Sequence, residues 1–434
     1  MASRHASQGR DVRGLRWAGA AQETPVDATP RYDSVVIRRA GFCGLVAAGR
    51  LARSGSLRDA VTVVGPRVEE SRRLVGGCTL RARSLEWIAA AMGREREEIE
   101  SRLLDPGLPP ASTHRQHAAL LSGEAESGLR IVQRTCFMDA SKARRGRRGG
   151  TPLAFGVRNS RLLALLEELA RENGVRFVEA GGAAADLRAI AGEKALLVNA
   201  APGPIEGLEV AAPPRRPRQF VAAVQVPFRA ERLDARGVVE ADESFVCWLP
   251  DAVGLQMGVF YPFQDPLSPS ADFYGIVYRV VDASRAADRA AVFERLSATL
   301  LAVGELLGLQ AVDRRETRGE AMVPVSPWSR APASQPGVLE LSRLCGAGSP
   351  IITGDGMTRS AIGGVVAAES VLLGRDAAAD VHAALAGYRR LNRELHLLLS
   401  TLSLPARWLL RSAPDLTLWR QSRSYHRDMW AGAA

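Results

Sequence analysis

The residues whose types and spacing are best suited to chemistry begin close to the start of the chain, at Arg39-Ala40-Gly41-Phe42-Cys43-Gly44. They follow the apolar run Ser34-Val35-Val36-Ile37 and precede a stretch rich in alanine. A strand, a glycine turn and a helix in that order nearly spell G-x-G-x-x-G. There the first glycine makes the tight turn, the second admits a pyrophosphate and the third lets helix pack on strand. Gly41 and Gly44 hold the second and third places, and Arg39 stands in the first. The chemistry of such a turn is anion binding, because the first backbone N–H groups of a helix have no partner within it. A long side chain where the turn asks for glycine costs strain if φ is positive. A guanidinium at that place can instead bind the pyrophosphate itself.

The order of elements around the turn supports this reading. A helix from Leu45 to Arg53, the break Ser54-Gly55-Ser56 and the strand Val61-Thr62-Val63-Val64 complete a βαβ unit within the usual ~30 residues. The second strand of such a unit normally ends in a carboxylate that binds the adenosine ribose. This one ends in Gly65, and Glu69 and Glu70 lie beyond Pro66. Two positions that fix an adenosine half are therefore altered.

More than half the chain away, Pro350-Ile351-Ile352-Thr353-Gly354-Asp355-Gly356 reads as a strand delivering Gly-Asp, followed by a loop and a helix opening at Gly363-Gly364. With both ends considered together, the chain resembles the FAD-dependent superfamily of aromatic hydroxylases, geranylgeranyl reductases and flavin-dependent halogenases. That resemblance implies an α/β fold, a Rossmann-like FAD-binding domain of the glutathione-reductase-like kind with an interleaved antiparallel-sheet substrate domain and a helical C-terminus. It implies that Asp355 binds the ribityl hydroxyls and that Gly363 and Gly364 let the backbone approach the isoalloxazine ring. The helix after the motif would turn its positive end to the reduced flavin. Arg158 or Arg161 would meet an FAD phosphate, and Ala195 to Gly203 would form the strand and small-residue turn beside the adenosine. The chain departs from the family pattern in having adjacent glycines at 363 and 364 and no proline before them.

These motifs need elements to position them. Residues 1–30 read as a disordered leader, 31–210 as the first part of the FAD-binding domain with a helical insertion, and 211–335 as the substrate-side antiparallel sheet. Residues 336–390 complete the FAD-binding domain, and 391–434 read as C-terminal helices. Val157 to Glu172 is an amphipathic pattern ended by Asn173-Gly174 and followed by a short strand. Between Gln219 and Val281 the pattern gives strands at Phe220 to Val226, Gly237 to Val239, Phe245 to Leu249, Leu255 to Phe260 and Phe273 to Val281. In the resembling families a sheet in this place walls the substrate side of the flavin. The aromatic and sulfur-bearing candidates for that wall are Phe245, Trp248, Met257, Phe260, Tyr261 and Phe263, with Trp328 in Val323-Pro324-Val325-Ser326-Pro327-Trp328. The same residues would also serve packing between sheet and helix.

Composition sets the class. With 434 residues, 46% apolar and 24% charged, the chain is ordinary globular material. The five cysteines are widely spread with no C-x-x-C pair, which argues for reduced thiols in a cytoplasmic protein and against a zinc site. His114-Arg115-Gln116-His117 has no acidic or cysteine neighbour to complete a metal site. The net charge of +10 gathers in residues 141–150 and 213–218. Such clusters suit anionic lipid, an acidic carrier protein or nicotinamide-cofactor phosphates. No aromatic-interleaved basic motif points to nucleic acid. No stretch reaches the ~18 apolar residues of a spanning helix, although 391–419 has apolar patches flanked by arginines that would suit shallow membrane contact. The leading expectation is an FAD-dependent monooxygenase that uses NAD(P)H and oxygen on an apolar or aromatic small molecule. A reductase of isoprenoid double bonds is the second reading, and an accessory protein that has lost FAD is the third.

Overall fold

The computed structural model describes residues 31–39, 41–65, 77–103, 111–125, 128–139, 153–180, 183–192, 194–201, 203–208, 219–230, 240, 242–250, 255–263, 272–312, 319–324, 336–346 and 356–390. The leader, both basic clusters, the strand at 237–239, Trp328, Asp355 and the C-terminal segment 391–434 lie outside the described residues.

In chain order the first elements are β1 (Ser34–Arg38), α1 (Phe42–Ala52), β2 (Val61–Val64), β3 (Gly77–Arg81), α2 (Ala82–Met92), α3 (Arg96–Leu103), β4 (Ser112–Thr113), β5 (Arg115–Glu124) and β6 (Gly128–Asp139). Next come β7 (Ala154–Arg158), α4 (Asn159–Glu172), β8 (Arg176–Val178), α5 (Ala184–Ala191), β9 (Ala195–Asn199), β10 (Gln219–Ala230), β11 (Glu243–Pro250), β12 (Leu255–Pro262) and β13 (Phe273–Asp282). The last are α6 (Ala283–Ala286), α7 (Arg289–Leu306), β14 (Leu309–Ala311), β15 (Gly319–Pro324), β16 (Val338–Leu339), α8 (Leu341–Gly346), α9 (Gly356–Leu372) and α10 (Ala377–Ala384).

Five strands form a parallel sheet in the order β16-β9-β1-β2-β8. Val35, Val36 and Ile37 of β1 are buried on both faces, as a central parallel strand requires. The chain runs outward from β1 through β2 to β8, then returns to add β9 and β16 on the other side. The topological switch therefore falls between β1 and β9, and ligands of open α/β sheets bind outside the carboxyl ends of the strands at that place. The small side chains of α1 let it sink against the sheet on one side and α9 on the other. The expected helix and strand after Arg158 form as α4 and β8, with Gly174 at φ +92° making the turn.

The second sheet has eight strands in the order β14-β10-β13-β12-β11-β5-β6, with β15 also on β10. It corrects two expectations. The insertion in the first part of the nucleotide domain is helical only at α2 and α3, and then sends the hairpin β5–β6 into this second sheet. Because β5 runs parallel to β11, the sheet is mixed rather than antiparallel. Strand alternation turns Phe245, Phe260, Phe273 and Val277 toward α7, where they meet Phe293, Leu296, Leu300 and Val303. Complete burial of such side chains is worth roughly 1.5–3 kcal/mol each. A three-stranded sheet, β3-β7-β4, joins the two large sheets, and at Gly156 of β7 the backbone comes against the Pro262 carbonyl of β12 with no room for a side chain.

Candidate functional site

The β1–α1 turn stands at the switch point. Arg39 adopts φ +74°, so the left-handed turn that glycine normally provides is kept by an arginine. Its N–H donates to the Val64 carbonyl at 2.6 Å, and the Gly41 N–H donates back to the Arg39 carbonyl at 2.9 Å. A Cβ at Gly65 would lie 3.3 Å from Arg39 Cα, and Gly65 itself has φ +149°. The two departures from the fingerprint are thus neighbours in space: the chain gains a side chain at 39 and lacks one at 65.

Gly41 and Gly44 keep their expected roles. A Cβ at Gly41 would stand 3.1 Å from the Ala200 carbonyl oxygen, and one at Gly44 would stand 2.7 Å from Ala200 Cβ and 3.2 Å from the Arg39 carbonyl oxygen. Gly41 supplies no side-chain cap to α1, whose first turn carries no acid. A close-packed glycine turn leading into a helix start without a side-chain cap fits the pyrophosphate of a dinucleotide.

The turn after β9 faces this helix start. Asn199 is fully buried and braces the loop by donating Nδ2 to the Gly203 carbonyl at 2.8 Å and to Glu340 at 2.9 Å, while its Oδ1 accepts from the Ala201 N–H. Ser342 of α8 donates to the Ala201 carbonyl at 2.6 Å. Arg38 reaches over to the Pro204 carbonyl at 2.7 Å. Glu340 directly follows β16, so it is the carboxylate at the end of the parallel strand beside β9. Sequence reading missed it because a two-residue strand gives no periodic signal.

Other expected residues are distributed as follows. Arg158 ends β7 and is the N-cap residue of α4, while Arg161 turns to the Arg102 carbonyl at 2.7 Å. Gly363 and Gly364 do not open a helix. They lie in the middle of α9, where a Cβ on Gly364 would come within 2.7 Å of the Cys43 carbonyl oxygen and one on Gly363 would strike Cys345. Their smallness serves the contact of α9 with α1 and α8, because an adjacent glycine pair marks close helix packing as readily as a helix start. The first turn of α9 is tied to α2 by the buried Ser84–Thr358 hydrogen bond of 2.7 Å.

Facing the nucleotide domain is the side of the second sheet that α7 does not cover. Trp248 pairs with Met257, and Met257 with Tyr278, to make one buried row across the strands. Tyr261 and Tyr274 make another, closed by Phe263 at 4.7 Å from the Tyr274 ring. Between them Val246, Val259, Ile276 and Gln225 form a half-buried row, an apolar groove with one amide. Gln225 Nε2 donates to the Tyr261 hydroxyl at 3.2 Å. Burial, with Cys78 and Tyr274 nearby, pushes the Tyr261 phenol well above its ordinary value, so it stays protonated. Trp248 keeps its place on this wall. Phe260 and Phe245 do not, because each is one residue out of phase and points to α7, with Phe260 edge-on to Phe228 at 5.5 Å. His114 bonds to Ser112 and His117 to Glu243, and among the described residues no group of His, Cys, Asp or Glu could hold a metal ion. Among them, too, no helix is long and apolar enough to cross a membrane.

No protein-family model and no curated protein matches the chain. Solved structures do. The halogenase PltM is 14% identical with a TM-score of 0.53, over 91% of this chain and 85% of that one. A geranylgeranyl bacteriochlorophyll reductase-like protein from Thermoplasma acidophilum is 14% identical with a TM-score of 0.50, over 89% and 98%. The likeness is one of fold, and it agrees with the resemblance read from the sequence: the chain has the mixed α/β, Rossmann-type fold of a superfamily that includes halogenases and geranylgeranyl reductase-like proteins.

Proposed function

We propose that this protein is an FAD-dependent oxidoreductase, and in particular a monooxygenase that acts on an apolar or aromatic small molecule with NAD(P)H and oxygen. The observation that carries the reading is the glycine turn at the switch point, opening on a helix start with no side-chain cap, in a chain whose second sheet presents a half-buried apolar row. PltM, which shares the fold, has been crystallised with FAD. When bound, FAD would supply electron transfer and oxygen activation. The protein's own part is to bind, orient and keep water out. Arg39, with the backbone at Gly41 and Gly44, would hold the pyrophosphate. Arg158 would meet phosphate, and Asp355 would bind ribityl hydroxyls. Trp248, Met257 and Ile276 would hold the substrate, and the neutral Tyr261–Gln225 pair would offer it a hydrogen bond.

The apolar groove also suits an isoprenoid chain, which keeps the double-bond reductase as the second reading. Arg39 and Gly65 favour the third, an accessory protein without FAD. Purified protein should show the visible absorption of a flavin that survives desalting after FAD is added. NAD(P)H oxidation stimulated by aromatic compounds with oxygen uptake would support the monooxygenase. Stimulation by isoprenoids without oxygen uptake would favour the reductase. Protein that stays colourless after incubation with FAD would overturn both enzyme readings.

A further inference from the structure

Cys43 and Cys345 come from the two distant parts of the nucleotide domain, yet their sulfurs meet. Cys43 is the second residue of α1, and Cys345 lies near the end of α8; both are buried in the same core cluster. Helix α9 closes behind them, with Gly364 against the Cys43 carbonyl and Gly363 against the Cys345 sulfur. The Cys345 thiol donates a hydrogen bond to the Cys43 sulfur, which also accepts from the backbone N–H groups of Gly44 and of Cys43 itself. The bond from Cys345, aided by those N–H groups, lowers the Cys43 pKa below the usual thiol value despite burial. The same bond, together with burial, pushes Cys345 up. Cys78 and Cys247 have no such donors, and loss of hydration raises each to about 12. All five cysteines are free thiols.

We propose that Cys43 and Cys345 form an oxidisable dithiol site, taking a small peroxide as oxidant, whose disulfide staples α1 to α8. Cys43 has the features of an attacking thiolate: a helix N-terminus, a neighbouring thiol donor and a position just inside the glycine turn. Its sulfur attacks one peroxide oxygen, the O–O bond breaks, and an alcohol or water leaves with a proton, so that Cys43 becomes a sulfenic acid. The Cys345 sulfur then attacks Cys43. The S–S bond forms, the S–O bond breaks, and water leaves with the Cys345 proton. The dithiol loses two electrons and two protons, and the peroxide gains them. Because the sulfurs are already in hydrogen-bond contact, the second step requires little movement of either helix. The staple would join the helix that carries the glycine turn to the helix whose Ser342 holds the Asn199 loop, and so fix the width of the switch-point crevice.

The site stands independently of the cofactor reading, and its test omits FAD. Full-length protein is reduced, desalted and exposed to hydrogen peroxide. Remaining thiols are alkylated, and peptides are mapped by mass spectrometry without reductant. The expected product is a Cys43–Cys345 peptide pair lighter by two hydrogens, reversed by dithiothreitol. In Cys345→Ser, dimedone should capture a sulfenic acid on Cys43. Wild-type protein in which Cys43 and Cys345 stay alkylatable under peroxide that oxidises the exposed Cys136 would overturn the proposal.

Discussion

Arg39 holds a backbone conformation that glycine adopts freely and that costs an L-residue roughly 1–2 kcal/mol. A turn that keeps this strain while offering a guanidinium beside a helix start is understandable if the side chain binds phosphate, since a hydrogen bond to a charged group contributes about 1.5–3 kcal/mol. Arg39→Gly should therefore raise stability by about 1 kcal/mol in urea unfolding and weaken FAD binding about tenfold in a fluorescence titration. Arg39→Ala keeps the strain and loses the guanidinium, so it should weaken binding with no gain in stability. If Arg39→Gly binds FAD more tightly, the arginine obstructs the site and the accessory-protein reading gains. Sequence reading placed Arg39 in the turn and could not tell strain from binding, because the sign of φ belongs to the fold. It also left Gly65 unexplained, and the proximity of Gly65 to Arg39 Cα supplies the reason: one side chain fills the space that the other would need.

At the scale of elements, two misreadings have physical causes that can be tested. Gly363-Gly364 looked like a helix start, but α9 uses both glycines to approach α1 and α8. Alanine favours a helix interior over glycine by about 1 kcal/mol, so any net loss in Gly364→Ala is a packing effect. We expect a loss of about 1–3 kcal/mol, seen as a lower melting temperature, as Val46 and the Cys43 carbonyl are pushed away. The strand β5 was hidden because its start, Arg115-Gln116-His117, looked like part of a histidine metal pair. In the fold His117 stacks on Phe245 at 5.0 Å, with its Nε2 2.9 Å from Glu243 and its Nδ1 facing Arg134 Nε at 3.4 Å. That geometry suits a neutral ring which donates to the carboxylate and accepts from the guanidinium. Burial chiefly lowers the His117 pKa below 6.5, with Arg134 and Arg115 acting in the same sense and Glu243 opposing them. The unfolded chain then takes up this proton first as the pH falls, so the contribution is present above the unfolded pKa and is lost below it. The urea midpoint of the wild type should drop between pH 7 and pH 5, and His117→Gln should show a shallower drop over the same interval.

Across the whole molecule, what was legible followed the chain's local order. The unit β1-α1-β2, the helix α4 and the strands β10 to β13 each announce themselves within a few dozen residues, and all form near their expected bounds. The pairings of β5 with β11 and of β16 with β9 join distant segments and leave no local trace. The groove belongs to this second kind of feature, since its floor takes one residue from each of four strands and only their register shows that Val246, Val259, Ile276 and Gln225 lie in one row. A substrate site there makes a prediction that separates it from the cofactor site. Ile276 is half-buried in the middle of the row and on the face away from α7. Ile276→Trp would occupy the groove without entering the sheet–helix core, so stability should stay within about 0.5 kcal/mol. FAD retention should be unchanged, while the KM for an aromatic substrate should rise at least tenfold, the scale expected when ~1.4 kcal/mol of apolar contact is lost. Loss of FAD together with activity would instead place the groove against the cofactor. An unchanged KM would remove the groove from the substrate path and leave the row as an unfilled seam between the two sheets.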